Sequence, residues 1–157
     1  MHKQNKYMKI SIITITYNSA KTVQRALDSV QNQHYSDIEH IIVDGASSDG
    51  TREIVEKYAA DHKNVRYISE PDKGIYNALN KGIQMATGDV IGFLHSDDML
   101  YSSDSIGKIA ASFENESVDV VYGDLQYCHG DKVIRRWRSN AFRPLSLKFG
   151  WTPPHPT

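Results

Sequence analysis

Short apolar runs along the chain alternate with stretches in which apolar residues recur every three to four positions. The runs have the length and the Ile and Val content of buried strands, whereas the wider spacing is typical of a helix with one buried face. Because the period changes four times, we predict four βα units around a parallel sheet. The predicted strands span residues 9–16, 39–44, 65–69 and 89–94, with a fifth at 118–122.

Helices are predicted between these strands, beginning near Ser19, after Gly50, at Ile75 and at Ser105. Ser48 or Asp49 is expected to cap the second helix, since both side chains can accept hydrogen bonds from free N–H groups at a helix start. Gly88 follows the third helix and is expected in the left-handed conformation. Residues 129–131 predict a hairpin turn between two short strands.

Composition indicates a single globular domain without affinity for nucleic acid. The 157 residues carry 18 Lys and Arg against 19 Asp and Glu, a net charge of −1. Proteins that neutralise nucleic-acid phosphates normally have a surplus of basic residues, so that class is disfavoured. The single cysteine, Cys128, excludes an internal disulfide and a cysteine-rich zinc site.

The distribution of apolar residues predicts a cytoplasmic location. No apolar run approaches the roughly 18 residues that a membrane helix requires. Residues 1–9 also lack the apolar core of a secretion signal. We therefore expect the protein in a reducing compartment.

Polar clusters follow the predicted strands at the point where each strand ends. They lie at residues 16–18, 44–45, 72–73 and 96–98. The carboxyl ends of parallel strands share one edge of the sheet, and open α/β sheets bind ligands outside that edge. The clusters therefore predict one site, although loops are polar in general.

The sharpest feature is the pair Asp97 and Asp98, which follows the apolar run of residues 90–94. Adjacent carboxylates suit Mg²⁺ or Mn²⁺, which bind one or two carboxylates together with water and substrate phosphate oxygens. The alternative is that one aspartate caps a turn while the other is solvated. We expect residues 90–94 to form a buried strand that delivers the pair to a cleft.

Asp44 and Tyr17 are candidates for contacts with a nucleoside. Asp44 ends the second predicted strand and can accept a hydrogen bond from a base or a ribose hydroxyl, or it can cap the turn that follows. Tyr17 can stack on a base, or pack at the sheet edge. Residues 45–51 have the glycine spacing of a P-loop without its lysine, and no G-x-G-x-x-G follows the first strand, which disfavours an NTPase and a dehydrogenase.

Four segments together carry a family resemblance: residues 12–18 (IITITYN), 42–51 (IVDGASSDGT), 72–82 (DKGIYNALNKG) and 96–98 (SDD). In this order and at these strand ends, they resemble family 2 glycosyltransferases of the GT-A fold over nearly the whole chain. The resemblance implies an α/β fold, an open and mostly parallel sheet with helices on both faces. Its nucleotide-binding half would be complete and its acceptor half partial.

The resemblance also implies an activity and roles for residues. The family transfers a sugar from a nucleoside diphosphate, usually with inversion, and UDP is the expected nucleotide. Asp44 would contact the base, Tyr17 would pack on it, Asp97 would lie near the ribose and Asp98 would hold Mn²⁺ or Mg²⁺. The expected nucleotide site thus comprises Thr16, Tyr17, Asn18, Asp44, Asp72, Lys73 and Asp97, with Asp98 as the metal ligand.

One position departs from the family pattern, and one function is unassigned. Gly45 stands where the commoner pattern has a second aspartate. Within a single domain of residues 1–157, we expect residues 1–104 to bind the nucleotide sugar and residues 105–157 to begin the acceptor side. Asp124 is only a weak candidate for the general base, so we expect the base beyond residue 157 in a chain truncated at its C-terminus. His155 can approach the metal or the acceptor, or it belongs to a mobile tail.

The expected partners are a nucleotide-sugar donor and a glycan or lipid-linked acceptor, in the synthesis of bacterial surface polysaccharides. Peripheral association with the inner face of the membrane stays open. One alternative is a non-catalytic module that binds nucleotide sugars. Another is a nucleotidyltransferase, which would need a glycine-rich basic loop where this chain has residues 17–20 (YNSA).

Overall fold

The structure is a computed structural model that describes residues 8–115, 117–130, 132–139 and 148. The chain divides into two compact units, and the boundary falls between Ala111 and Ser112. No helix within the described ranges is long and apolar enough to cross a membrane.

The first unit is an α/β sandwich with a parallel sheet of four strands in the order β3-β2-β1-β4. Its elements are β1 (Ile10–Thr16), α1 (Val23–Gln31), β2 (Ile38–Asp44), α2 (Thr51–Asp61), β3 (Val65–Ser69), α3 (Ile75–Met85), β4 (Val90–Phe93) and α4 (Ser105–Ser112). The predicted fold class and the four βα units are confirmed.

The two central strands are buried on both faces. Every residue of β1 and of β2 is buried. The strands pair in register from Ile10 opposite Ile38 to Thr16 opposite Asp44. Strands covered on both sides favour continuous apolar runs, which is why the sequence pattern identified them.

Helices cover both faces of the sheet, as expected. Successive residues of a strand point to opposite faces, so Ile12 and Ile13 of β1 face different layers. Ile12 packs with Val30 of α1 and Ile106 of α4, whereas Ile13 packs in a separate cluster with Ala78 of α3. A third cluster joins α1 and α2 to β2 on the face of α1. The helix α3 therefore lies on the face opposite α1, α2 and α4.

The expectation of a buried strand at residues 90–94 is wrong for much of its length. In the described part of the chain β4 is the last strand of the sheet and pairs with β1. Ile91 and Phe93 are exposed by 39% and 45%, and Leu94 alone is buried. An apolar run does not reveal whether a strand is central or at an edge.

Gly88 is needed for a close approach and not for a left-handed backbone. A Cβ on Gly88 would lie 2.6 Å from Oγ of Ser11 and 2.7 Å from the carbonyl oxygen of Lys9. Positive φ angles occur at other glycines, and Gly88 is not among them. The prediction of a left-handed position is therefore wrong, since Gly88 allows the start of β4 to contact β1.

The second unit contains a two-stranded antiparallel hairpin, β5 (Leu125–His129) and β6 (Lys132–Trp137). The predicted turn is confirmed at Gly130, where φ is +57°. The predicted strand at residues 118–122 does not form, and Val120 is 72% exposed. Within the described ranges no strand pairs with this segment, and a strand needs a neighbour for its backbone hydrogen bonds.

A buried histidine links the central strands to α2. His40 of β2 is fully buried, with Nε2 3.0 Å from Oγ1 of Thr14 and Nδ1 3.3 Å from the hydroxyl of Tyr58. Because Tyr58 donates to the carbonyl oxygen of Leu27, its hydroxyl accepts from Nδ1–H, which leaves Nε2 to accept from Thr14. Burial, and to a smaller extent the charge of His62, lowers the pKa of His40 to about 3.

This depressed pKa predicts that acid destabilises the fold. Below pH 6.5 His40 becomes protonated in the unfolded chain, whereas in the folded chain it stays neutral down to a pH of about 3. The free energy of unfolding therefore falls as the pH falls through this range. The limit of this loss is roughly 5 kcal/mol, at 1.36 kcal/mol per pH unit. Because the raised pKa of Asp98 acts in the opposite sense over part of this range, the contribution of His40 is measured as the difference between the unaltered chain and His40→Asn in denaturant unfolding at several pH values between 7 and 4.

His40→Asn should have lower stability at pH 7 and should lose less stability than the unaltered chain as the pH falls from 7 to 4. His129→Asn is the matched control, because His129 is exposed, and it should keep the slope of the unaltered chain. An equal slope in His40→Asn and the unaltered chain would contradict the assignment.

Candidate functional site

The candidate site lies at the carboxyl edge of the sheet, next to β1. The chain proceeds from β1 to β2 on one side and returns to β4 on the other, so the strand order reverses at β1. Ligands of open α/β sheets bind in the crevice at such a point. Here the hydroxyl of Ser96, after β4, donates to the hydroxyl of Ser19, after β1, at 2.9 Å. This hydrogen bond ties together the two loops that flank the crevice.

The loop after β1 is fastened to the loop after β2. The N–H of Asn18 donates to Oγ of Ser47 at 2.8 Å, and the side-chain oxygen of Asn18 accepts from the N–H of Ser48 at 3.0 Å. Asn18 has a φ of +49°, a conformation that asparagine tolerates better than most residues. The described contacts of Asn18 thus shape the loops, and its contact with a nucleotide stays a prediction.

Asp49 makes the expected contacts at the start of α2. Its Oδ1 accepts from the N–H of Thr51 at 3.1 Å, and its Oδ2 accepts from the N–H of Ala20 at 3.0 Å. Gly50, with a φ of +99°, provides the turn into the helix. Asp49 therefore joins the second loop to the first, in addition to capping α2.

Asp44 is fully buried, and its carboxylate is largely occupied by hydroxyl and amide donors. Oδ1 accepts from the hydroxyl of Ser47. Oδ2 accepts from the N–H of Ser47 at 3.0 Å and from the hydroxyl of Ser69 at 2.6 Å. A carboxylate offers about four acceptor positions, so one on Oδ1 remains. The turn-capping role is therefore present, and contact with a base stays a prediction for the remaining position.

Tyr17, Gly45 and Asp72 come together at the edge of the sheet. A Cβ on Gly45 would lie 3.2 Å from Cδ2 of Tyr17 and 3.3 Å from Oδ2 of Asp72. The ring of Tyr17 is otherwise open, since the residue is 66% exposed. The absence of a side chain at Gly45 thus leaves room for the aromatic ring and the carboxylate to lie side by side.

Lys81, which was not among the predicted site residues, forms an ion pair with Asp72. Its Nζ is 2.5 Å from Oδ1 of Asp72 and 2.9 Å from Oε1 of Glu70. Lys73, which was singled out, is exposed, and its backbone N–H donates to Oδ1 of Asn77. The structure therefore gives the better-defined ionic contact to Lys81. Contact between Lys73 and a ligand stays a prediction.

Asp97 is exposed, whereas the adjacent Asp98 is half-buried. Burial, and secondly the charge of Asp97, raises the pKa of Asp98 to about 6. Its Oδ2 is buried and has no hydrogen-bond partner among the residues that the structure describes. A buried carboxylate oxygen without a donor is costly unless a cation or another partner binds it.

The carboxylate pair fits a hard divalent cation that takes further ligands from a substrate. Within the described ranges no group of three Asp, Glu, His or Cys side chains could hold a metal. Mg²⁺ and Mn²⁺ are commonly held by one or two carboxylates together with substrate phosphates, so two aspartates are sufficient. The lone oxygen of Asp98 suits this arrangement.

Thr16 contributes a second buried polar atom without a partner. Its Oγ1 has no hydrogen bond within the described part of the chain, although its carbonyl oxygen accepts from the N–H of Gly45 at 2.9 Å. Thr16 ends β1 opposite Asp44. The hydroxyl lies at the carboxyl edge, where the predicted nucleotide site places it.

Asp124 belongs to the second unit and precedes β5. Its Oδ1 accepts from the N–H of Ser139 at 2.8 Å and from the hydroxyl of Ser139 at 2.7 Å. These hydrogen bonds hold the pKa of Asp124 below its usual value, which weakens it as a proton acceptor. His155 lies outside the described residues.

The fold and the polar carboxyl edge define an α/β protein of the class that binds ligands at a strand-order reversal. The sequence profile described as glycosyl transferase family 2 matches residues 11–156. The chain belongs to this family, and the recognised resemblance is confirmed.

Curated relatives support the assignment. A "PGL/p-HBAD biosynthesis glycosyltransferase" of Mycobacterium tuberculosis is 39% identical over 117 residues, which are 73% of this chain and 46% of that protein. An "uncharacterized glycosyltransferase" of Nostoc sp. is 36% identical over 131 residues, 81% of this chain and 40% of that protein. The chain thus spans less than half the length of these relatives.

Solved structures share the fold. A mannosyltransferase from Pyrobaculum calidifontis, in complex with GDP-Man and Mn²⁺, has a TM-score of 0.63 at 26% identity and covers 76% of this chain and 35% of its own. S. aureus TarS, in complex with UDP-GlcNAc, has a TM-score of 0.63 at 31% identity and covers 68% and 31%. The α/β sheet is therefore of the GT-A type.

The buried carboxylate of Asp98 should destabilise the metal-free fold. Because its folded pKa lies above the usual 3.8, the penalty develops as the pH rises from 3.8 to about 6 and is complete above that. Asp98→Asn should therefore raise the free energy of unfolding at pH 7 in EDTA by about 1–2 kcal/mol. Asp61→Asn, at an exposed aspartate, is the control. Loss of stability in Asp98→Asn would show that the carboxylate serves the fold.

Proposed function

We propose that this chain is the donor-binding part of a glycosyltransferase that moves a sugar from a nucleoside diphosphate, with UDP as the expected nucleotide, to an acceptor hydroxyl. The observation that carries the proposal is the unpartnered buried oxygen of Asp98 at the strand-order reversal of a family 2 fold. The ligands in the complexes of two structural neighbours, GDP-Man with Mn²⁺ and UDP-GlcNAc, support the class of donor.

Asp98, with Asp97 beside it, would hold the divalent metal. When bound, such an ion neutralises negative charge that develops on a departing diphosphate. Asp98 supplies a carboxylate oxygen whose desolvation favours cation binding. Asp97, being exposed, is free to approach the ribose.

The nucleoside would lie over the edge formed by β1 and β2. Tyr17 offers an exposed ring on which a base can stack. Asp44 has one acceptor position left for a base N–H, and Asp72 presents Oδ2 beside the ring. Thr16 and Asn18 line the same loop, and Lys73 adds a positive charge to it.

The transfer itself would be a single displacement that inverts the anomeric centre. The acceptor hydroxyl attacks from the face opposite the leaving diphosphate, and a general base takes its proton. Asp124 stays a weak candidate for that base, because its carboxylate is already hydrogen-bonded to Ser139. The residues of the first unit would hold and orient the donor.

Acceptor and cellular role extend the proposal. We assign the chain to bacterial surface-polysaccharide synthesis, with a glycan or lipid-linked acceptor and a position in the cytoplasm at the inner face of the membrane. The name of the mycobacterial relative, which refers to PGL/p-HBAD biosynthesis, supports a biosynthetic role.

The donor-binding part of the chain would include α4, because Ile106 and Ala110 pack with Ile10 and Ile12 of β1.

Calorimetry with UDP tests the proposal. UDP should bind with Mn²⁺ present and at least about tenfold more weakly in EDTA, a difference of about 1.4 kcal/mol. Asp98→Asn should reduce the affinity with Mn²⁺ to the level seen in EDTA. Asp61→Asn should bind as the unaltered chain does. Equal binding of UDP with Mn²⁺ and with EDTA would refute the metal site.

Gly45→Asp restores the commoner family pattern and should nonetheless weaken binding. The new side chain would meet the ring of Tyr17 and the carboxylate of Asp72, whose like charge repels it. We expect the affinity for UDP to fall by about tenfold. Gly107→Asp is the control, since a Cβ there meets nothing within 4 Å. Unchanged or tighter binding in Gly45→Asp would show that Tyr17 and Asp72 do not form the pocket.

A further inference from the structure

Lys81 contacts three consecutive residues of the loop between β3 and α3. Its Nζ lies 2.9 Å from Oε1 of Glu70, 3.1 Å from the carbonyl oxygen of Pro71 and 2.5 Å from Oδ1 of Asp72. The ammonium group donates a hydrogen bond to the carbonyl oxygen of Pro71 and forms ion pairs with the two carboxylates. The side chains of Lys81 and Asp72 are only 17% and 12% exposed, so the contact between them is shielded from solvent, whereas the side chain of Glu70 is 56% exposed.

The position of Lys81 is fixed by the packing of α3 on β1. A Cβ on Gly82, the next residue, would lie 2.4 Å from Cγ2 of Ile13, so the helix backbone approaches the strand as closely as glycine allows. Ala78, one turn earlier, is also buried against this face. The helix therefore cannot slide or rotate without opening the core, and Lys81 approaches the loop from a rigid element.

The loop itself has few other constraints in the described structure. Glu70 continues from β3 through a backbone hydrogen bond from its N–H to the carbonyl oxygen of Asp44, at 3.0 Å. Beyond it, Pro71, Lys73 and Gly74 are exposed and belong to neither helix nor strand. Asp72 is the exception, because Lys81 draws its carboxylate inward.

The two oxygens of Asp72 have different surroundings. Oδ1 pairs with Lys81, whereas Oδ2 lies beside Gly45 and the ring of Tyr17. The ion pair thus sets which oxygen faces the site. Hydrogen bonds to Asp72 and Glu70 raise the pKa of Lys81 above its usual value, so the lysine is charged at neutral pH.

We propose that Lys81 is a positioning residue for the nucleotide site: it holds Asp72 so that Oδ2 lies beside Tyr17, where it accepts a hydrogen bond from the bound nucleoside. The inference rests on the proposed nucleotide binding. Lys81 itself touches no ligand and acts through Asp72.

A double-mutant cycle separates this role from a merely structural one. The affinity for UDP with Mn²⁺ is measured for the unaltered chain, Lys81→Met, Asp72→Asn and the double variant. Each single variant should lose about 5- to 30-fold in affinity. The double variant should be no weaker than Asp72→Asn by more than about twofold, because Lys81 has no effect once its partner is removed.

Two further lysine variants complete the experiment. Lys81→Arg keeps the charge and a donor for Asp72 and should recover most of the affinity lost in Lys81→Met. Lys57→Met, at an exposed lysine of α2, should bind UDP as the unaltered chain does. Thermal unfolding of every variant reports whether it is folded at the assay temperature, and Lys81→Gln replaces Lys81→Met in the cycle if the latter is not.

Unchanged affinity in folded Lys81→Met would overturn the inference, and so would an additive loss in the double variant, which would indicate general damage to the fold. In both cases the unaltered chain still binds UDP, so the proposed function survives. Failure of the unaltered chain to bind UDP would overturn both, since there would be no nucleotide for Asp72 to contact.

Discussion

The parallel pairing of β1 with β2 and β4 is the constraint on which the site depends. It brings the carboxyl ends of three strands, and through β2 that of β3, to one edge of the sheet. Burial on both faces fixes the register, since a shift by one residue would exchange the faces of Ile12 and Ile13. The polar residues that follow each strand are therefore brought together by the apolar residues that precede them.

Two acidic side chains at opposite edges of the sheet differ in the hydrogen-bond donors and charges around them, and this difference distinguishes a structural carboxylate from one available to a ligand. At the amino edge, burial alone would raise the pKa of Glu39, yet donors on Thr87 and Ser11 and the charge of Lys9 lower it to about 2. At the carboxyl edge Asp98 has a buried oxygen without a donor, and its pKa is raised to about 6. The fold satisfies the first carboxylate completely and leaves the second available to a cation.

The sequence predicted the features of the fold that depend on a local pattern of residues. It did not predict the features that depend on contacts between residues distant in the chain. Strand and helix periods located the four βα units, and the polar residues after each strand located the edge of the site. The role of Lys81 was not predicted, because it depends on contacts with residues 70–72, which precede α3. The strand at residues 118–122 was wrongly predicted because an apolar run does not specify a pairing partner, and Gly88 was misread because the backbone of β1 lies against it.

Gly45 explains why a family pattern is best interpreted in three dimensions. By sequence, the chain lacks the second aspartate of the commoner form. In space, the carboxylate of Asp72 lies 3.3 Å from the position that a Cβ at residue 45 would occupy. Acidity at this edge is thus supplied by the next loop, and the ion pair with Lys81 holds it there. A second carboxylate at residue 45 would therefore meet the like charge of Asp72 in the same small space.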